Sequence, residues 1–109
     1  MKLTKETEQK ITELQLLEQN LQNFILQKQA FQAQILEIDN ALKELENSKE
    51  SYKIIGPIMV HSNREDLKKD LNSKKEILSI RIKNIEKQED KLKEKAESIQ
   101  SDVLKQIKK

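Results

Sequence analysis

From Leu14 to Leu45 the chain sets down residues in alternating steps of three and four: Leu14, Leu17, Leu21, Phe24, Lys28, Phe31, Ile35, Ile38, Leu42 and Leu45, nine of the ten apolar. That spacing gathers side chains into one stripe along an α-helix, so the pattern predicts a single long amphipathic helix. The rhythm returns as Leu71, Lys75, Leu78, Ile82, Ile85, Glu89, Leu92, Ala96, Ile99 and Val103, eight of ten apolar. A competing series through Lys74, Arg81, Gln88 and Lys95 is apolar at five of nine positions and fits worse. Counted outward from Gly56-Pro57, Leu42 falls opposite Leu71, Ile35 opposite Leu78, Phe31 opposite Ile82, Leu21 opposite Leu92 and Leu14 opposite Ile99. Each pair sets an a position against a d position, as an antiparallel two-helix seam requires. The expected fold class is mainly α: a long antiparallel two-helix coiled coil that doubles back at its middle.

The first helix is expected within residues 1–46, opened by Thr4 or Thr7 and uninterrupted by Gly or Pro. At ~1.5 Å per residue such a helix is roughly 65 Å long. The second is expected over 63–107. Ser62 followed by Glu65 reads as a capping box, with Glu65 and Asp66 in the first turn where the helix dipole favours acidic groups. Lys105, Lys108 and Lys109 stand at its carbonyl end.

Between the helices lies the only Gly, the only Pro and the only Tyr of the chain. Residues 52–61 read as a β-hairpin, with strands near Tyr52–Ile55 and Ile58–His61 about a Gly56-Pro57 turn. The run from Ile54 to Val60 is apolar on both alternating faces: Ile54, Ile58 and Val60 at some positions, Ile55 and Met59 at others. Packing one face on its own helices would leave the other exposed, and an isolated two-stranded hairpin is marginal in water with unpaired edges. These strands are therefore expected to join strands of other chains. A loop folded over the helix ends is the alternative.

Composition fits this picture. At 109 residues there is room for one domain, spanning 1–109. Charged residues make up 37% and aromatics 3%, too few large side chains for a conventional globular core. Disorder, the simplest reading of so polar a chain, gives no reason for apolar spacing over so many turns. The formal charge is +2, with basic and acidic groups interleaved along both helices. Nucleic-acid binding calls for a one-sided basic stripe; Lys68-Lys69 and Lys108-Lys109 are short solvated runs. Without cysteine there is no disulfide framework or thiolate metal site. The first ten residues lack a signal-peptide apolar block, and Ile54–Val60 is too short to span a bilayer. A soluble, cytoplasmic protein in a reducing compartment is expected.

Lys28, Lys75 and Glu89 interrupt the seam. Lys28 and Glu89 lie one turn apart on facing helices, where they either form an ion pair that disfavours slipped registers or snorkel outward. At the open ends of the arms, Thr7 and Lys10 occupy the extrapolated core positions, and Leu3, Ile11, Leu16, Leu17, Leu104 and Ile107 gather nearby. That end is expected to offer loosely paired apolar surface, the usual mark of an interaction site, or else simply to fray. Ile25, Leu26, Ile77 and Ile80 also fall off the seam. There is no catalytic constellation: His61 stands alone at a strand end, the acidic groups have no pocket to shift them, and no glycine-rich phosphate loop is present. An enzyme is not expected, nor a cofactor or metal.

The order helix, apolar hairpin, helix resembles a prefoldin subunit of the β class. The resemblance covers essentially the full length. It is carried by Tyr52-Lys-Ile-Ile-Gly-Pro-Ile-Met-Val60, similar to the family's Tyr-Lys, two variable residues, Gly and an apolar strand, and by Phe24-Ile-Leu-Gln-Lys-Gln-Ala-Phe-Gln32 in the first helix. One hairpin points to the β class, because α-class subunits carry two. Gly56-Pro57 resembles the eukaryotic sixth subunit, while the ends without tails equally suit an archaeal β subunit. The resemblance implies a heterohexameric, ATP-independent holdase chaperone of α-class and β-class subunits. In it hairpins form a β-barrel platform, and coiled-coil tips hold unfolded proteins (actin and tubulin in eukaryotes) and deliver them to a group II chaperonin. Carried over, Tyr52, Ile54, Ile55, Gly56, Pro57, Ile58, Met59 and Val60 would serve subunit assembly. Leu3, Ile11, Leu14, Leu16, Leu17, Ile99, Val103, Leu104 and Ile107 would contact clients. Neither nucleic acid nor membrane is an implied partner.

Two other functions are compatible with such an architecture. An oligomeric tether or adaptor would clasp one specific folded partner. A detached tRNA-gripping arm, like the antiparallel coiled coils of some synthetases, would need the basic face this chain lacks.

Overall fold

The computed structural model describes residues 4–48 and 50–107. Leu3, named above among client-contacting residues, and the terminal Lys108 and Lys109 lie outside them. In chain order the elements are helix α1 (Lys5–Asn47), strands β1 (Tyr52–Ile55) and β2 (Ile58–His61), and helix α2 (Arg64–Ile107). The chain divides into two compact units, one of Met1–Lys28 with Lys83–Lys109 and one of Gln29–Ile82.

In the first unit the two helical segments run antiparallel. Lys10 Nζ lies 3.7 Å from Asp102 Oδ2, Lys95 Nζ 3.3 Å from Glu13 Oε1 and Lys28 Nζ 2.8 Å from Glu89 Oε1. Leu17, Ile99 and Val103 form the buried centre, with Ile11, Leu14, Leu92 and Ala96 packed against it. Ile85 is buried further along α2.

In the second unit the same antiparallel pairing places Lys75 Nζ 2.7 Å from Asp39 Oδ1, donating a hydrogen bond. It also sets the Arg81 guanidinium 5.9 Å from the Phe31 ring centre, within cation–π range. Leu78 is buried there. Within both units, every residue of the two stripes read from the sequence is buried or half-buried. The interrupting charges are accommodated by partners across the seam: Lys28 by Glu89 and Lys75 by Asp39.

Side chains close the helix ends. Thr4 Oγ1 accepts the Thr7 N–H at 3.1 Å, opening α1. At its other end, Ser48 Oγ donates to the Glu44 carbonyl at 2.8 Å and the Arg64 guanidinium donates to the Glu46 carbonyl, meeting acceptors that the last helical turn leaves open. The cap of α2 is Asn63, whose Oδ1 accepts the Glu65 N–H at 2.8 Å. Ser62 is not the cap that the spacing to Glu65 suggested. Its backbone is engaged elsewhere: its N–H donates to the Ser51 carbonyl at 2.8 Å and its carbonyl accepts the Ser51 hydroxyl at 2.5 Å. Ser51, 7% exposed, thus buttons the base of the hairpin.

Candidate interaction surfaces

β1 and β2 pair antiparallel with Tyr52 opposite His61, Lys53 opposite Val60, Ile54 opposite Met59 and Ile55 opposite Ile58. Gly56 carries a φ of 58°. A two-residue hairpin turn needs positive φ at its first central residue. Pro57, whose ring holds φ near about −65°, excludes type I′ and leaves the II′ class. Because cross-strand partners share a face, the register puts Tyr52, Ile54, Met59 and His61 on one side and Lys53, Ile55, Ile58 and Val60 on the other. The sequence had grouped Ile58 and Val60 with Ile54; the tight turn fixes them with Ile55 instead.

Neither face is covered. Ile54 is 69% exposed, Met59 64%, Ile58 61% and Ile55 58%, and Tyr52 and Val60 are exposed as well. The sheet has these two strands alone among the described residues, so both outer edges present unpaired backbone groups. Between the first face and the helices of its own unit is an open cleft of about 690 Å³, with Ala41, Leu45, Leu67 and Leu71 on the helical side and Tyr52, Ile54 and Met59 on the strand side. The helical lining was not read from the sequence as part of a hairpin surface. Three of these residues signal it only by standing nearest the turn on their helices.

Polar contacts orient the hairpin without burying it. The Tyr52 ring meets the His61 ring edge to face, with centres 5.5 Å apart and planes at 86°. The Tyr52 hydroxyl donates to Glu50 Oε2 at 2.6 Å. That hydrogen bond, with a smaller contribution from burial, raises the phenol's pKa above its ordinary value. Lys53 Nζ lies 3.8 Å from Asp70 Oδ2 on α2, a loose and exposed pair.

The residues proposed for the arm end fall into two groups. Leu17, Ile99 and Val103 are buried against one another, with Ile11 and Leu14 half-buried beside them. Leu16 at 57%, Leu104 at 50% and Ile107 at 37% remain exposed. The sequence suggested a loosely paired end, and the structure instead closes it with polar groups. Thr7 is 1% exposed, and its hydroxyl donates to Gln106 Oε1 on α2. Gln106 was missed from the sequence, although Thr7 at an extrapolated core position called for a polar partner. Away from this end, Leu26, Leu36, Ile77 and Ile80 are exposed apolar residues on the outer surfaces of their units.

No described group of three or more His, Cys, Asp and Glu side chains is arranged to hold a metal ion. Among the described residues no helix is long and apolar enough to cross a membrane.

An exposed, apolar strand pair with open edges joins α1 to α2. Residues 8–109 match the family model described as prefoldin subunit. The chain is 39% identical over 88 residues to the prefoldin subunit beta of Archaeoglobus fulgidus, covering 78% of this chain and 76% of that one. It is 31% identical over 105 residues to the prefoldin subunit beta of Saccharolobus islandicus, covering 94% and 83%. The crystal structure of the prefoldin beta subunit from Thermococcus strain KS-1 superposes with a TM-score of 0.86 at 28% identity, over 94% of this chain and 92% of that one. The chain belongs to the prefoldin subunit family. This is a family of non-enzymatic chaperone subunits that assemble into hexamers with one another.

Proposed function

We propose that this chain is a β-class subunit of a heterohexameric, ATP-independent holdase that captures unfolded proteins at its arm ends and delivers them to a group II chaperonin. The exposed hairpin carries this reading. Its apolar residues and open edges are stabilised only when neighbouring strands cover them, and a β-barrel platform built with α-class and other β-class subunits does so. Tyr52, Ile54, Ile55, Ile58, Met59 and Val60 supply the contacts, and Gly56-Pro57 sets the turn.

Capture is assigned to the arm end, through Leu16, Leu104 and Ile107 in the first instance, with Ile11 and Leu14 at their margin. Each arm binds a little apolar surface weakly. Several arms on one platform raise the effective concentration of every tip for the same client. Release needs no nucleotide, because a competing chaperonin surface can take the client over.

The test is suppression of aggregation of an unrelated unfolded protein, followed by light scattering. The assembled protein suppresses it, and Leu16, Leu104 and Ile107 changed together to Ser remove most of the effect while the assembly mass stays the same. Unchanged suppression in that variant would move the capture site elsewhere. No suppression by the unaltered assembly would favour an adaptor that clasps one folded partner.

A further inference from the structure

Two exposed apolar patches on the second unit lie on different helices and carry opposite charges beside them. On α1, Leu36 is 61% exposed, with Glu37 exposed next to it. On α2, Ile77 and Ile80 are each 51% exposed and one turn apart. The exposed Lys74 and Arg81 stand one turn to either side of Ile77, on the flank away from Glu76. The Lys75–Asp39 and Arg81–Phe31 contacts set a register in which Leu36 and Ile77 fall at one level of the helical pair. Both lie off the seam, so within one chain they stay apart.

The hairpin gives a second copy of the chain a way to bring them together. Ile55 and Ile58 close the two-residue turn as a hydrogen-bonded pair. By alternation, Tyr52 and Ile54 turn their backbone N–H and C=O outward on β1, and Met59 and His61 do so on β2. When β2 of one copy pairs with β1 of the next, chain order sets α2 of the first beside α1 of the second. Two strands occupy about 10 Å of sheet and two helices side by side about 16–20 Å, so joined strands press these neighbouring helices together. We propose that the Leu36–Glu37 face of α1 and the face of α2 bearing Lys74, Ile77, Ile80 and Arg81 form a heterologous contact between two copies of this chain, and that this contact selects the order in which their hairpins join. Leu36 of the second copy covers Ile77 and Ile80 of the first, and Glu37 comes between Lys74 and Arg81. The other orders lack this fit: α1 on α1 sets Glu37 against Glu37, and α2 on α2 brings Lys74 and Arg81 against their own kind. The contact presupposes the proposed joining of hairpins and adds a surface outside it.

The chain contains no cysteine, so single introduced cysteines report the contact without background. Full-length Leu36→Cys and Ile77→Cys chains are mixed with each other and with an α-class prefoldin subunit, then oxidised, and the masses of the disulfide-linked products are measured. The Leu36→Cys chain should link to the Ile77→Cys chain in excess of random pairing. Adding Glu37→Lys to the first chain should slow that link about two- to fivefold, the strength of one exposed ion pair. Adding Lys74→Glu and Arg81→Glu to the second chain should then restore it. A hexamer that forms with no preference for the mixed link overturns the helix contact and leaves the joined hairpins standing. A preferred link that Glu37→Lys does not slow overturns the selection of hairpin order by charge. Failure of the unaltered chain to enter any hexamer overturns the joining of hairpins, and the helix contact falls with it.

Discussion

Lys28 and Glu89 meet across the helical pair with Nζ 2.8 Å from Oε1, and the Glu89 side chain is 6% exposed while that of Lys28 is 24% exposed. The ion pair forms; the two side chains do not turn outward. A carboxylate taken this far from water has lost most of its hydration, and a single ammonium restores only part of it. The pair therefore fixes which layers of α1 and α2 face each other more than it stabilises them.

Changing Lys28 and Glu89 together to Leu should raise the melting temperature by a few degrees, whereas Lys28→Leu alone, which strands the carboxylate, should lower it by at least as much. Thermal melts followed by circular dichroism decide this. A double variant that melts well below the unaltered chain would show that the pair is a net source of stability.

The pair also makes a pH prediction. Hydrogen bonding to Glu89, reinforced by the Glu89, Glu86 and Asp90 charges against an opposing effect of burial, raises Lys28 above its ordinary 10.5. A cation whose pKa is raised on folding contributes its stabilisation fully below the unfolded value and loses it as pH rises through the folded one. The melting temperature of the unaltered chain should thus fall more steeply above about pH 10.5 than that of Lys28→Met, and the two should run parallel from pH 8 to 10. Parallel curves at every pH would mean that Lys28 gains nothing from Glu89.

Tyr52 is the sole tyrosine and there is no tryptophan, so its ionisation is directly visible in the ultraviolet. The bond to Glu50 holds its proton above the ordinary 10.0, and Glu50→Gln should bring the titration midpoint back down. By the same linkage the contribution of this bond is present below pH 10 and disappears as pH climbs through the raised value. An identical midpoint in the two proteins would remove Glu50 from the hairpin base.

The cap of α2 is tested by comparing neighbouring residues. Asn63→Ala should cost about 1 kcal/mol, the usual loss for an N-cap. Ser62→Ala should cost almost nothing, since Ser62 contributes backbone groups to Ser51. Urea melts distinguish the two, and the reverse order would restore the capping box.

The seam was legible in the sequence because it obeys one rule over many turns: burial of a stripe at a period of three and a half residues leaves an unmistakable trace from Leu14 to Leu45. Strand positions were legible for a related reason, with Gly56-Pro57 marking the turn between β-branched runs. The pairing of hairpin faces was not, because it hangs on whether the turn holds two residues or three, and a single step exchanges the sides. Ser62 misled because sequence spacing shows which side chain is able to cap, not which backbone groups another residue has already engaged. Thr7 at a core position hinted at polar closure, but its partner Gln106 lies at the far end of the chain, and one residue of register decides that contact.

The proposed completion of the hairpin by strands of other subunits underlies both the assembly and the capture assigned to this chain. Its most direct test is the mass, by light scattering, of the species formed when this chain is mixed with an α-class prefoldin subunit, for the unaltered protein and for Ile54→Lys with Val60→Lys, which charges both faces. The unaltered chain should enter a hexamer and the variant should remain in smaller species while keeping its helical content. A variant that reaches the same hexameric mass would contradict the account.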